Sequence, residues 1–210
     1  MQPFSSLIAI AAPLLRENID TDAIIPSREM TSVSKTGLAD GLFAGWRYLG
    51  TAIRGRDPDP AFVLNQAAYT RTQILLVGAN FGCGSSREHA AWALAEYGIR
   101  AIVAPSFNPI FRGNCVRTGI LPAVLEAPVI AALAEAVAPD PRSRQIKIDL
   151  AAQTVTGPDG APHTFEIAEE AKQMLLHALD AIDLTLELGP DIDAFIACDR
   201  VARGWVYPTV

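Results

Sequence analysis

Two neighbouring hydroxyls and a guanidinium stand in the run Asn80-Phe81-Gly82-Cys83-Gly84-Ser85-Ser86-Arg87-Glu88-His89-Ala90, and together they could grip an anion. Gly82 and Gly84 allow positive φ and let the backbone approach a ligand closely. Arg87 offers a planar fork that matches a carboxylate or phosphate, and the first N–H groups of a following helix add positive potential. Asp20-Thr21-Asp22, two carboxylates flanking a hydroxyl, is the second chemical candidate. Each group also has a purely structural use. Ser85 to Glu88 fits the S-x-x-E capping box, in which Ser85 would only cap a helix. The Asp-Thr-Asp triplet fits an Asx-type turn or a polar sheet edge. The glycine-rich run is no nucleotide signature, because it lacks both the third glycine of a dinucleotide fingerprint and the Gly-Lys-Ser/Thr of a P-loop.

Positioning these groups requires a strand, a tight turn and a helix. The apolar run at 73–79 suits a buried strand, and the Ala-rich stretch 86–97 suits a helix closing at Gly98 as its C′ residue. Strand 100–104, helix 107–118 and strand 120–125 continue the alternation, so a parallel sheet with right-handed crossovers is expected and the site falls at a strand's carboxyl end. Residues 5–11 and 22–26 read as further strands. The stretch 27–72, rich in Gly, Asp and Arg, reads as a mobile insertion of loop and short helix. Residues 144–167 suggest an antiparallel hairpin around Gly157-Pro158-Asp159-Gly160, followed by helices over 169–181 and 191–203. The whole of 1–210 is expected to form a single domain.

Composition narrows the function classes. The chain has 210 residues, 50% hydrophobic and 19% charged, which is enough to bury a substantial core. A net charge of −6 argues against nucleic acid, which needs a basic face. The N-terminal stretch has no basic region before its apolar residues, and no apolar run is long enough to span a bilayer, so neither export nor a membrane is expected. Cys83, Cys115 and Cys198 are odd in number and contain no C-x-x-C pair. A disulfide framework is therefore not expected, a reducing cytoplasm is, and no iron–sulfur site of the chain's own is visible. Cys83 is expected to pack in the interior and Cys198 to face the core. His89, His163 and His177 form no metal set; His89 is assigned a structural role at the glycine-rich turn.

The full string NFGCGSSREHAAWAL, continued by YGIRAIVAPSFNPIFRGNCVRTGILP, resembles the swivel-domain signature of the aconitase superfamily, and within it the small subunits of isopropylmalate dehydratases. NIDTDAIIPSREM at 18–30, TGLADGLFAGWRYL at 36–49, FVLN at 62–65 and LDAIDLTLE at 179–187 fall in the same order and spacing, so the resemblance covers nearly the whole chain. It implies an aconitase swivel-type α/β domain: a partly parallel sheet flanked by helices, with an antiparallel hairpin. It further implies a hydro-lyase acting on a hydroxy-dicarboxylate, a large-subunit partner, and a [4Fe–4S] cluster carried by that partner. By the same resemblance Ser85 matches a catalytic base acting as alkoxide, Ser86 and Arg87 a substrate-binding pair, and Thr21 and Asp22 residues facing the active site. Arg28 and Lys35 lie in the segment placed to close over substrate. The chain departs from the family pattern at Lys35, where Arg is usual, at Ala91 for Pro, and at Asp183 for Gly, which bears on the substrate. Related hydro-lyases acting on citraconate or methylmalate, dimethylmalate or homoaconitate remain open, as does a non-catalytic anion-binding module.

Overall fold

The computed structural model describes residues 2–30, 34–50 and 55–207. Its elements run β1 (Ser6–Ala9), β2 (Ala11–Leu14), α1 (Thr21–Ile24), α2 (Ala44–Arg47), β3 (Tyr48–Leu49), β4 (Asp57–Pro58), β5 (Ile74–Val77), α3 (His89–Tyr97) and β6 (Ala101–Ala104). They continue through α4 (Pro109–Thr118), β7 (Leu121–Val124), α5 (Ala127–Val137), β8 (Ile146–Asp149), β9 (Thr154–Thr156), β10 (Pro162–Thr164), α6 (Glu169–His177), α7 (Ala181–Glu187) and α8 (Gly189–Ala202). The chain divides into two compact units, Met1–Ala178 and Leu179–Val210.

In the first unit β2, β5, β6 and β7 form a parallel sheet in that order. β5 and β6 are buried on both faces, and their continuous apolar runs, ILLV and AIVA, suit strands covered by helices. The crossover helices α3 and α4 end alike. Gly98 and Gly119 both take positive φ. Each donates its N–H three residues back while the next residue reaches five back, Ile99 to Leu94 and Ile120 to Cys115, satisfying the last-turn carbonyls. The alternation expected over 73–125 is therefore present with boundaries moved by one to three residues.

Three expectations change. The single strand expected at 5–11 is two strands broken at Ile10: β1 pairs antiparallel with β8, while β2 pairs parallel with β5, so one short segment serves both sheets. The strand expected at 22–26 is instead the single-turn helix α1, because the Asp20 side chain accepts from the Ala23 N–H at 2.7 Å and caps it. The hairpin expected at 144–167 is a three-strand meander, β8-β9-β10, whose second turn is the Gly157–Gly160 segment.

The segment 27–72 is not a mere appendage. Leu38, Leu42, Phe43, Phe62, Leu64 and Tyr69 are buried in the same core cluster as Leu75, Leu94 and Phe111. In the second unit, α7 begins with a reciprocal capping box between Asp180 and Asp183, a helix the sequence reading did not resolve. Cys198 on α8 is exposed, against the expectation of a core position. Among the described residues no helix is long and apolar enough to cross a membrane.

Candidate functional site

The two chemical groups meet because their loops leave adjacent parallel strands in the same direction. β2 and β5 end side by side, Leu14 opposite Val77. Beyond them the loops stay paired through backbone bonds: Gly78 N–H to Arg16 O (3.1 Å), Asn18 N–H to Ala79 O (2.9 Å), Gly82 N–H to Ile19 O (2.8 Å) and Thr21 N–H to Cys83 O (2.9 Å). Asn80 Nδ2 donates to Asn18 Oδ1 at 2.8 Å across the same seam. These bonds continue the ladder past the strand ends, so the positions of Thr21 and Ser85 relative to each other are set by main chain rather than by side-chain choice.

Gly82 shows why the turn needs glycine. Its φ is +75°, and a Cβ there would lie 2.1 Å from Cγ of the Phe111 ring, which itself packs edge-on against Phe81. The turn is thus pressed onto α4, whose start is fixed by Asn108 accepting from the Ile110 and Phe111 N–H groups.

At the turn's far side three donors converge on Ser85 Oγ. The Thr21 hydroxyl donates at 3.3 Å, Arg87 Nε at 2.6 Å and the Arg87 backbone N–H at 3.3 Å. The Ser85 N–H in turn donates to Thr21 Oγ1 at 3.2 Å. The remaining two guanidinium nitrogens of Arg87 meet the two oxygens of Asp22, each at 2.8 Å, a bidentate pair. Thr21 is buried, while Asp22, Gly84 and Ser86 are exposed, so the group opens onto the protein surface.

Both structural alternatives raised by the sequence are thereby decided. Ser85 does not form the capping box: α3 begins at His89, Glu88 at its cap position makes no side-chain cap bond, and Glu88 instead faces Arg117 at 3.6 Å. Ser86 and Arg87 lie before the helix rather than in the first turn of a helix beginning at 86, and Ser85 is not its cap. In the Asp-Thr-Asp triplet the work is divided, Asp20 capping α1 while Thr21 and Asp22 meet Ser85 and Arg87.

Ser86 touches α4, while Arg28 and Lys35 have partners elsewhere. The Ser86 carbonyl accepts from Asn114 Nδ2 at 3.4 Å. Arg28 pairs with Glu29 at 3.3 Å, and Arg56 binds the other Glu29 oxygen, so Arg28 is engaged within its own segment. Lys35 places its ammonium 5.1 Å from the centre of the Trp92 ring on α3, and His89 packs on the same ring at 4.8 Å. Asn114 escaped the sequence reading. It is a buried polar side chain in mid-helix, where Asn is a poor helix former, and that mismatch was the available signal.

Among the described residues no group of three or more His, Cys, Asp or Glu could hold a metal ion. Cys115 is fully buried, which pushes its thiol well above the usual range, while Cys83 is half-buried and Cys198 exposed.

Comparison with known proteins agrees with this architecture. The family model of the aconitase C-terminal domain matches residues 1–128, and a second, described as LeuD_N, matches 131–169. A 3-isopropylmalate dehydratase small subunit from Cupriavidus necator is 58% identical over 207 residues, covering 99% of each chain. One from Magnetococcus marinus is 45% identical over 212 residues, again covering 99% of each. The crystal structure of 3-isopropylmalate dehydratase from Methanocaldococcus jannaschii superposes with a TM-score of 0.63 at 25% identity, covering 90% of this chain and 98% of that one.

Proposed function

We infer that this chain, which belongs to the aconitase C-terminal domain family and within it to the 3-isopropylmalate dehydratase small subunits, is the small subunit of a hydro-lyase interconverting 2-isopropylmalate and 3-isopropylmalate in leucine biosynthesis. The observation that best supports the residue roles is the set of three donors on Ser85 Oγ. A neutral serine hydroxyl is a poor base. Three donors aimed at one oxygen, one of them a guanidinium, favour its alkoxide and lower the cost of losing the proton.

In this reading Ser85, as alkoxide, takes the proton from the carbon beside a substrate carboxylate. The hydroxyl leaves from the neighbouring carbon, and a C=C bond forms. Rehydration adds water across the same bond with the other regiochemistry, and the Ser85 hydroxyl returns the proton. Arg87 binds the substrate carboxylate, for which Asp22 is the internal competitor: a substrate carboxylate engages the fork beside Asp22 or in exchange with it. Ser86 adds a hydroxyl on the exposed side, and Thr21 orients Ser85. Arg28 and Lys35 are assigned to the segment that contacts the substrate's variable side chain.

A small subunit implies a large one, and the exposed site gives that partner a physical task, since an alkoxide is useful only where water is excluded. We assign the [4Fe–4S] cluster to the large subunit, where it supplies Lewis-acid assistance to the leaving hydroxyl. The cytoplasm is the proposed location of the pair.

The test is anaerobic reconstitution with the large subunit, followed by assays on a panel of C4 to C7 hydroxy-dicarboxylates. Highest kcat/KM on isopropylmalate is expected. Faster turnover of a methyl-, dimethyl- or homoaconitate-type substrate would move the chain to a related hydro-lyase, and binding without turnover of any would make it an anion-binding module.

A further inference from the structure

The helix that follows the Ser85–Arg87 group carries a second set of contacts, facing the segment with Lys35. His89, Trp92 and Glu96 are spaced i, i+3 and i+7 and so share one face of α3. His89 packs on Trp92, and Lys35 lies over the Trp92 ring. One helical turn further on, the Glu96 carboxylate accepts three successive backbone N–H groups: Gly37 at 2.6 Å on Oε1, and Leu38 at 2.5 Å and Ala39 at 2.9 Å on Oε2.

An acidic side chain in the last turn of a helix opposes the macrodipole. Glu96 is the penultimate residue of α3, so it stands where Lys or Arg would be preferred. It is nevertheless ionised in this position: burial alone would raise its carboxyl, but the N–H groups of residues 37, 38 and 39 together outweigh that and hold it below the ordinary range. The clasped backbone is well anchored on its other side. Leu38 is buried in the core, and the Ala39 carbonyl accepts from Arg47 Nη1 at 2.9 Å. Lys35 is two residues from the clasp, a tether of about 7 Å at full extension.

We propose that Glu96 is a positioning residue, clasping the backbone of 37–39 so that the segment bearing Lys35 is held against the site-bearing helix, and thereby setting which side chain of a hydroxy-dicarboxylate is accepted. The proposal rests on the hydro-lyase reading above for its catalytic consequence, while the clasp itself belongs to the chain alone. Glu96 is exposed, so its replacement leaves the core intact.

Two measurements test it. Hydrogen exchange on the isolated chain follows the amides of residues 37–39, which are expected to exchange about tenfold faster in Glu96→Ala, with Glu96→Gln between, since its carbonyl oxygen still accepts. In the reconstituted pair, Glu96→Ala is expected to raise KM for isopropylmalate by about tenfold with kcat changed less than about threefold, and to narrow the preference over a methyl-substituted malate. Unchanged exchange overturns the clasp. Faster exchange with an unchanged substrate ratio overturns its role in specificity. A wild-type pair inactive on every diacid, with exchange still faster in the variant, would sink the hydro-lyase reading and the specificity role while leaving the clasp standing.

Discussion

At Ser85 the geometry removes the capping role. Its Oγ receives Thr21, Arg87 Nε and the Arg87 N–H but does not cap α3, so Ser85→Ala removes a hub of polar contacts without unpinning a helix. Turnover of the reconstituted enzyme is expected to fall roughly 10²–10⁴-fold, the span general-base catalysis covers. Stability measured by urea should fall by only about 1 kcal/mol. A variant retaining half its activity would move the base elsewhere. Arg87→Lys tests the fork. An ammonium cannot reach Ser85 Oγ and both Asp22 oxygens from one stem, and loss of charge-assisted bonds predicts kcat/KM down by about 10²-fold with Tm nearly unchanged. Wild-type kinetics in that variant would refute the assignment. Glu96 carries a consequence for pH. Its folded pKa is depressed, so its contribution is present above the unfolded value near 4.3 and is lost as pH falls through the lower folded value. Protection of the 37–39 amides should therefore be flat from neutral pH to about 5 and decline below about 4.3, which exchange corrected for intrinsic rates can follow.

Among the elements, the turn between β5 and α3 depends on α4 as much as on its own residues. Gly82→Ala must bring a Cβ into the Phe111 ring at a positive φ, combining overpacking with backbone strain. The expected loss is about 2–4 kcal/mol by denaturant unfolding, far above the sub-kcal effect of an ordinary surface substitution. A loss below about 1 kcal/mol would mean that α4 gives way easily. The helices also set the fates of the cysteines. Cys115 on α4 is fully buried with its thiol pushed up, whereas Cys198 on α8 is exposed. A thiol reagent applied to the native chain should label Cys198 at once and Cys115 only in denaturant, as peptide mass spectrometry would reveal. Rapid labelling of Cys115 in the native chain would contradict the packing of α4 against the sheet.

For the whole molecule, the decisive expectation is incompleteness. The site is open, with Asp22 and Ser86 exposed, and the described residues hold no group that could bind a metal. Purified alone, the chain should show no hydro-lyase turnover, and addition of the large subunit should restore it; turnover by the chain alone would overturn the two-subunit reading. The sequence by itself determined the alternating elements of 73–125, because hydrophobic runs and C′ glycines act locally, and it determined the family, because the NFGCGSSREHA string and its companions are long. It also named both halves of the candidate site, which the fold brings together. It left undecided whether Ser85 caps α3, since a capping box and a polar cradle around a serine share the same residue types, and where α3 begins settles the capping alone. It misjudged residues 22–26 as strand, because the single Asx cap at Asp20 outweighs β-propensity over so short a segment. Only the tertiary structure joined residue 21 to residue 85 and residue 96 to residues 37–39. Those contacts span dozens of positions and are made through parallel strand ends and backbone N–H groups, which carry no side-chain signature for a sequence to display.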